Sequence, residues 1–313
     1  MNSYTINKAV KLRNKFWNKN SYIPGWVDIN NVGLDQFYTK PEVANKCFYS
    51  FINILKKRKK RLNNYKFIDP SVGSGAFYNF LPKDSRVGID LIPKDTEILK
   101  HDFLSWEPKK NGKQYIVIGN PPFGYRAWLA LCFVNHAAKF ADYAAFILPM
   151  AFQSDGKGSP KHRVKGMKLI HSKFLPQDSF VDPNGKQIKI NAMWQVWEKG
   201  ENVIANKPTC TKWIDLFTVD ERKERLCGQK RLHEAKFFLQ RTFYKHQPKL
   251  VKKFSEVKYV CGYGLVFKKD EKKIIQVLNK TDWSKYSNLA AHNCRHISME
   301  HIRKAITDAG FKD

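Results

Sequence analysis

Five short apolar runs constrain this chain more than any other feature: 66–69, 86–91, 97–100, 115–119 and 143–149, with polar or helix-like segments between them. Runs of four to seven residues read as strands. Strands joined by crossovers pair in parallel, because a tight turn can only join antiparallel neighbours. The expected fold is therefore α/β with a mostly parallel central sheet. Any ligand belongs beyond the carboxyl ends of its strands.

From Pro41 the segment EVANKCFYSFINILKKRKK repeats apolar residues every four positions (Val43, Cys47, Phe51, Leu55), with Glu42 in the first turn, and predicts a helix. Its basic run 56–61 is either a solvated helix end or a phosphate-contacting patch. Residues 125–140 predict a second helix, with Trp128, Leu131 and Cys132 on its apolar side. The Gly, Ser and Lys-rich stretch 153–166 predicts a loop. The stretch 188–198 alternates like a late strand after a turn at 182–185. Within it Trp194 and Trp197 alternate with Met193 and Val196, which places one pair toward the core and the other toward a cleft. Composition shifts after Gly200, with a helix-like region at 221–244, a strand-like piece at 259–267 and a final helix at 298–309. Residues 1–35 are polar, with aromatic punctuation and a Pro24-Gly25 turn, and read as an irregular lead-in. The expected division is thus 1–35, 36–200 and 201–313.

The 313 residues include 56 Lys and Arg against 28 Asp and Glu, a formal net charge of +28. That excess points to a polyanionic partner. It is spread along the chain: residues 1–200 hold 32 basic and 15 acidic residues, and 201–313 hold 24 and 13. Lysine supplies 44 of the basic residues, so the 12 arginines, better bidentate readers of phosphate and guanine, carry more weight. With 42% hydrophobic and 14% aromatic residues the chain can bury a core, which excludes a wholly disordered basic tail. No apolar run reaches the ~20 residues that span a bilayer. The first residues lack the apolar core of a signal peptide, and six scattered cysteines without a CxxC pair read as reduced thiols. A cytoplasmic, intracellular protein is expected. The segment HNCRH, with His301 following, matches no usual zinc spacing, so no metal is expected.

The chemistry concentrates at the ends of the apolar runs. In FIDPSVGSGAF a strand ends in Asp69 and runs into Gly73 and Gly75, which lets the backbone approach a ligand before the next helix. Such a turn alone serves a dinucleotide or merely packs, and the third dinucleotide glycine is missing, since Tyr78 stands in its place. The next strand ends in Asp90, where a carboxylate can accept both hydroxyls of a ribose. A third ends at Asp102-Phe103, suited to an adenine amino group and its ring face. The fourth ends in Asn120-Pro121-Pro122-Phe123.

At this point the sequence resembles the class I S-adenosylmethionine-dependent methyltransferases, and among them the DNA amino-methyltransferases that act on N6 of adenine or N4 of cytosine. The resemblance covers about residues 35–200: QFYTKPEVA, DPSVGSGAF, Asp90, Asp102, NPPF, AFILPMAF and NAMWQVWEK follow the order of the gamma-type N6-adenine enzymes. It implies a Rossmann-like methyltransferase domain at 36–200 and a small mixed target-recognition region after residue 200. It implies S-adenosylmethionine bound by Phe37, Tyr38, Thr39, Asp69, Ser71, Gly73, Gly75, Phe77, Asp90, Leu91, Asp102, Phe103 and Asn120. Catalysis falls to Asn120, Pro121, Pro122 and Phe123. The target amine is a poor nucleophile because its lone pair is delocalised into the ring. The Asn120 side-chain carbonyl and the Pro121 backbone carbonyl would each accept one N–H, and Phe123 would stack on an extruded base.

The implied partner is double-stranded DNA, contacted through Arg126, Lys157, Arg163, Arg222, Arg225, Arg231, Arg241 and Arg295, with Arg303 as a further candidate. A bacterial, phage or viral type of enzyme is expected, acting as a monomer, with a cognate restriction endonuclease as a candidate partner and no membrane. Related enzymes with the same signature methylate adenine or guanine amino groups in RNA, or a glutamine amide in release factors. A catalytically silent nucleic-acid-binding protein on the same fold is the reading from a different class. C5-cytosine methylation is set aside, because it needs a nucleophilic Cys, typically after Pro, and the chain has no Pro-Cys dipeptide.

Overall fold

Side chains alternate cleanly between two buried faces along the central strands, and this alternation organises the first half of the chain. In the computed structural model, which describes residues 37–109, 112–154, 158–203, 209–290 and 293–313, that half contains ten strands. They are β1 (Tyr38–Thr39), β2 (Tyr65–Asp69), β3 (Arg86–Asp90), β4 (Leu99–Lys100), β5 (Gln114–Gly119), β6 (Tyr143–Pro149), β7 (Met167–Phe174), β8 (Phe180–Val181), β9 (Gln187–Ile188) and β10 (Ala192–Lys199). Seven of them form one sheet in the order β4-β3-β2-β5-β6-β10-β7, parallel from β4 to β6, with β10 reversed against both β6 and β7. The order turns outward from β2 in both directions, the doubly wound pattern that opens a crevice at the strand ends. A Rossmann-like, doubly wound α/β arrangement is therefore what the chain adopts.

Phe67, Ile116, Ile118, Tyr143, Ala145 and Ile147 face one side of this sheet, where helix α1 (Pro41–Lys57) lays down Val43, Cys47, Phe51 and Leu55. Ile68, Val117, Ala144, Phe146 and Leu148 face the other, under helix α2 (Trp128–Ala137). The late strand obeys the same rule. Trp194 joins the first face, stacked on Phe77 with ring centroids 5.9 Å apart, and Trp197 joins the second beside Phe152. The expectation that one of the tryptophan pairs would line a cleft is overturned: Met193, Trp194, Val196 and Trp197 are all buried, because β10 lies inside the sheet and is covered on both faces.

Four further expectations are corrected. The predicted helix at 125–140 begins only at Trp128, because Gly124, Arg126 and Ala127 take left-handed backbone angles (φ 67°, 56° and 61°) that no right-handed helix accommodates. The glycine turn leads into a single 3-10 turn, Tyr78–Phe80, rather than an α-helix, since Gly75 on one side and Pro82 on the other leave too few residues between them. The late strand at 188–198 is two strands: β9 pairs with β8 in a small separate sheet that also holds β1, and β10 joins the main sheet. Within the 153–166 stretch, Pro160–Arg163 forms a 3-10 turn.

The described residues divide into two compact units, 37–152 with 160–203, and 153–159 with 204–313. The second is mixed, as expected. Strands β11 (Ile214–Asp220), β12 (Phe237–Gln240) and β14 (Cys261–Phe267) form an antiparallel sheet in the order β11-β14-β12, and β13 (Thr242–Phe243), β15 (Asn288–Leu289) and β16 (Arg295–His296) form another. Helices α3 (Glu271–Lys280), α4 (Trp283–Tyr286) and α5 (Met299–Asp308) share a core with Leu239, Tyr263, Leu265 and the fully buried Trp283. The helix expected over 221–244 is not there. Gly228 sits at φ 80° and Asp220 bridges to Cys227, so the chain turns back on itself, and Phe237, Phe238, Leu239 and Gln240 pair with β14. The final helix starts as read, with the Ser298 hydroxyl accepting from the His301 N–H as its N-cap. The leading 36 residues, Lys157 and the start of HNCRH lie outside the described residues. No helix among the described residues is long and apolar enough to cross a membrane.

One ion cluster ties the C-terminal end of α1 to β6, β10 and β7. Arg58 Nη1 donates to both oxygens of Glu198 (3.0 and 3.1 Å), Tyr143 donates its hydroxyl to Oε1 (2.9 Å), and Lys168 lies 3.2 Å from Oε2. Burial opposes the Glu198 charge, but the bond from Tyr143 and the two cations outweigh it and lower the pKa. A lowered carboxyl pKa contributes stability that is present above the unfolded value and lost as pH falls through the folded one. Glu198→Gln is therefore expected to cost about 1–2 kcal/mol at neutral pH, with the deficit shrinking on acidification through the carboxylate range, as read by urea unfolding at several pH values.

Candidate functional site

Polar residues collect where the parallel strands run out. Twelve of the thirteen residues expected to hold a cofactor line one cavity there: Phe37, Tyr38, Thr39, Asp69, Ser71, Gly73, Phe77, Asp90, Leu91, Asp102, Phe103 and Asn120. Gly75 does not line it; at φ 85° it closes the turn, its N–H bonded to Val72 O (2.8 Å). Of the proline turn, Pro122 lines the cavity, whereas Pro121 is buried and Phe123 is half-buried against Phe37 and Phe180 (centroids 6.4 and 6.5 Å).

Each carboxylate is held by backbone donors. Asp90 Oδ2 accepts the Gly73 N–H (2.7 Å) and Oδ1 the Ile92 N–H (2.8 Å), so the carboxylate at the end of β3 is pinned to the glycine turn that follows β2. Two such bonds leave lone pairs on both oxygens for a ligand. A Cβ on Gly73 would come within 3.1 Å of the Tyr38 ring, and its φ of 55° is left-handed, so glycine is what lets the turn approach β1 this closely. Asp102 caps a 3-10 turn through the Leu104 N–H (3.0 Å), which leaves Phe103 buried against Phe133 and His136.

Asp69 differs from the others. It is 1% exposed and accepts a long bond from Ser71 N–H (3.3 Å), and Gly119 packs so tightly beside it that a Cβ there would meet its Oδ1 at 2.8 Å. Burial, with the negative charge of Asp90 adding to it, pushes the carboxyl up to about 7.

Asn120 joins three elements. Its backbone carbonyl accepts the Ser71 hydroxyl (3.0 Å), and its Nδ2 donates to Phe37 O (2.8 Å), one residue before β1. Only the NH2 end of an amide can donate to a carbonyl, so this bond decides which way the side chain faces. Oδ1 is then the end left over, buried and without a hydrogen-bond partner among the described residues, as is the Thr39 hydroxyl. A buried orphan acceptor costs about 1–3 kcal/mol. Two of them beside one cavity suit a polar ligand with N–H or O–H donors.

Several lining residues were not read from the sequence. Lys94 Nζ lies 5.0 Å above the Tyr38 ring, and nothing in the sequence separates it from 43 other lysines. Leu129 and Phe133 reach the cavity from α2, where they look like ordinary apolar helix positions. Among the residues expected to contact DNA, Arg126 and Arg163 are exposed on the first unit. In the second unit Arg222 forks onto the buried Asp220, and this pairing holds the Asp220 carboxyl well below the usual carboxylate range. Arg231 binds Glu234 and Asp215 and lies over the Phe217 ring, Arg295 donates to Ser284 O, and Arg303 pairs with Glu300. Arg225 is exposed and Arg241 half-buried.

No family model matches the chain, and no curated protein does. Solved structures that resemble it include a candidate RNA methyltransferase from Pyrococcus horikoshii, at 16% identity and a TM-score of 0.40, over 53% of this chain and 88% of that one. The modification subunit of a candidate type I restriction enzyme from Vibrio vulnificus aligns at 14% identity and a TM-score of 0.36, over 69% of this chain and 52% of its own. Magnesium protoporphyrin IX methyltransferase from Synechocystis, crystallised with S-adenosylmethionine, aligns at 13% identity and a TM-score of 0.34, over 61% of this chain and 97% of its own.

The buried Asp69 yields a pH test with a definite sign. A carboxyl raised from the ordinary ~4 to about 7 contributes stability that is full below the unfolded value and lost as pH rises through the folded one. Asp69→Asn, which carries no charge at any pH, should therefore gain stability relative to the unaltered protein as pH rises from about 4 to about 8. Urea unfolding at both ends of that range checks it; a difference that is flat or falls with pH would mean the carboxyl ionises normally.

Proposed function

We propose that the chain is an S-adenosylmethionine-dependent methyltransferase that acts on N6 of a flipped-out adenine in double-stranded DNA. Residues 36–200 form its catalytic domain, and 201–313 recognise the target. The observation that carries the reading is the oriented Asn120 amide, whose buried carbonyl oxygen has no hydrogen-bond partner among the described residues, in a residue that lines one cavity with Asp69, Asp90 and Asp102.

The residues present fit the cofactor. Asp90 has free lone pairs for a pair of ribose hydroxyls, Phe103 offers a buried ring to an adenine, and the Gly73 turn lets main chain come close. The orphan Thr39 hydroxyl and the half-buried Tyr38 ring close the same cavity from β1. When bound, the cofactor supplies an electrophilic methyl group on a positively charged sulfur.

What this chain supplies is position and electrostatics. Asn120 Oδ1 accepts one N–H of the target amine and the Pro121 carbonyl the other, which turns the nitrogen lone pair toward the methyl donor. Both acceptors favour the positive charge that develops on nitrogen, and neither reorganises, because Phe37 O and the proline turn already hold them. Phe123, braced by Phe37 and Phe180, supplies a ring for the extruded base, which must repay a flipping cost of about a few kcal/mol. Once the methyl has moved, the cationic nitrogen would release its extra proton to solvent water, so this step needs no titrating side chain as acceptor.

Labelled S-adenosylmethionine and duplex DNA, followed by nucleoside mass spectrometry, should show N6-methyladenine. Cofactor bound with no label on any DNA would sink the DNA reading, and label on RNA alone would replace it with the RNA one. Asn120→Ala should lower the transfer rate by roughly 10²–10³-fold and leave cofactor affinity within a few-fold, whereas Asp90→Ala should weaken the cofactor first. Equal loss of both properties in Asn120→Ala would make its role structural.

A further inference from the structure

The second unit carries an exposed aromatic pair that the methyltransferase reading does not use. Tyr244 and Tyr259 are each 54% exposed, and their rings meet edge to face with centroids 6.0 Å apart and planes at 61°. An edge-on contact leaves ring faces uncovered, and the neighbouring Val260 is itself 43% exposed. Large apolar side chains on a soluble surface mark contact sites when they adjoin one another.

Both tyrosines are held rather than loose. Tyr244 directly follows β13, whose Phe243 is buried in the core of the unit. Tyr259 and Val260 take consecutive left-handed backbone angles (φ 66° and 48°), which a β-branched residue adopts only where its surroundings impose it. Val260 O is pinned by the Glu221 N–H (2.9 Å), and the next residue begins β14.

The chain between the tyrosines is basic. Residues 244–259 contain five lysines, Lys245, Lys249, Lys252, Lys253 and Lys258, all exposed, against one acid, Glu256. That acid is occupied as a cap, its Oε1 accepting the Lys253 N–H (3.0 Å). Exposed rings set among cations are the combination that holds a nucleic-acid strand: bases stack on the rings while phosphates meet the lysines. The arginines of this unit are less available, since Arg222, Arg231 and Arg295 already bind groups of their own unit.

We propose that Tyr244 and Tyr259 form a stacking platform for unpaired bases of a nucleic-acid strand, with Lys245 and Lys258 on its phosphates. The platform goes beyond the methyl-transfer reading and does not depend on it, because binding is measured with the full chain and without cofactor.

The test is anisotropy of a labelled single-stranded oligonucleotide and of an abasic strand of equal length. Tyr244→Ala with Tyr259→Ala should weaken the base-containing strand by about 10- to 100-fold and leave the abasic strand unchanged. The double Phe variant should retain affinity within about two-fold, since the ring is what stacks. Lys245→Gln with Lys258→Gln should weaken both strands and flatten the salt dependence by a slope of about 1–2. Unchanged affinity in the double Ala variant, or an equal loss on the abasic strand, overturns the proposal. Loss in the double Phe variant with an unchanged melting midpoint overturns it as well. Methyl transfer, assayed separately on duplex DNA, reports on the catalytic reading alone.

Discussion

A strand covered on both faces has room for polar side chains only at its ends, and the first unit is built around that limit. Along β2, β5 and β6 each position is committed to one of two apolar layers, so a charge in mid-strand would be buried without partners. Polar function is forced to the carboxyl ends, where Asp69, Asp90 and Asn120 stand side by side because their strands are neighbours. Among the described residues α1 packs against one face and α2 against the other, and the large aromatics Phe67, Phe146, Trp194 and Trp197 fill much of the space.

The candidate site at those ends is held together by hydrogen bonds of the chain's own. Gly73 N–H on Asp90, Ser71 hydroxyl on the Asn120 carbonyl and Asn120 Nδ2 on Phe37 O link four chain segments that are far apart in sequence. Each bond removes a rotamer choice that a ligand would otherwise have to settle, which is where preorganised sites derive their advantage. The cost appears in the raised carboxyl of the buried Asp69 and in two buried atoms without a hydrogen-bond partner among the described residues, the Thr39 hydroxyl and the Asn120 oxygen.

The second unit distributes its charge differently. Arg222 and Arg231 make intramolecular forks and a cation–π contact that brace β11 and the turns around it, while the described lysines of the unit are exposed. A guanidinium engages two partners in a fixed plane, whereas an ammonium on a flexible stem remains hydrated and mobile. The net charge of +28 therefore speaks mainly through lysine, a field felt by any polyanion and blind to sequence.

Much of the first unit was legible in the chain itself. Short apolar runs ending in Asp69, Asp90, Asn120 and a Gly-x-Gly turn announce a parallel sheet with a site at its edge, because strand period and end chemistry are local properties. The second unit was less legible: the apolar run 237–239 looks helical within 221–244 until Gly228 turns the chain and β14 offers it a partner. Only tertiary structure could bury both Trp194 and Trp197, since that depends on β10 entering the sheet between β6 and β7. Only tertiary structure could bring Leu129, Phe133 and Lys94 to the cavity and fix the direction of the Asn120 amide. The bond that decides its direction comes from Phe37, 83 residues away, and no local pattern records a contact at that distance.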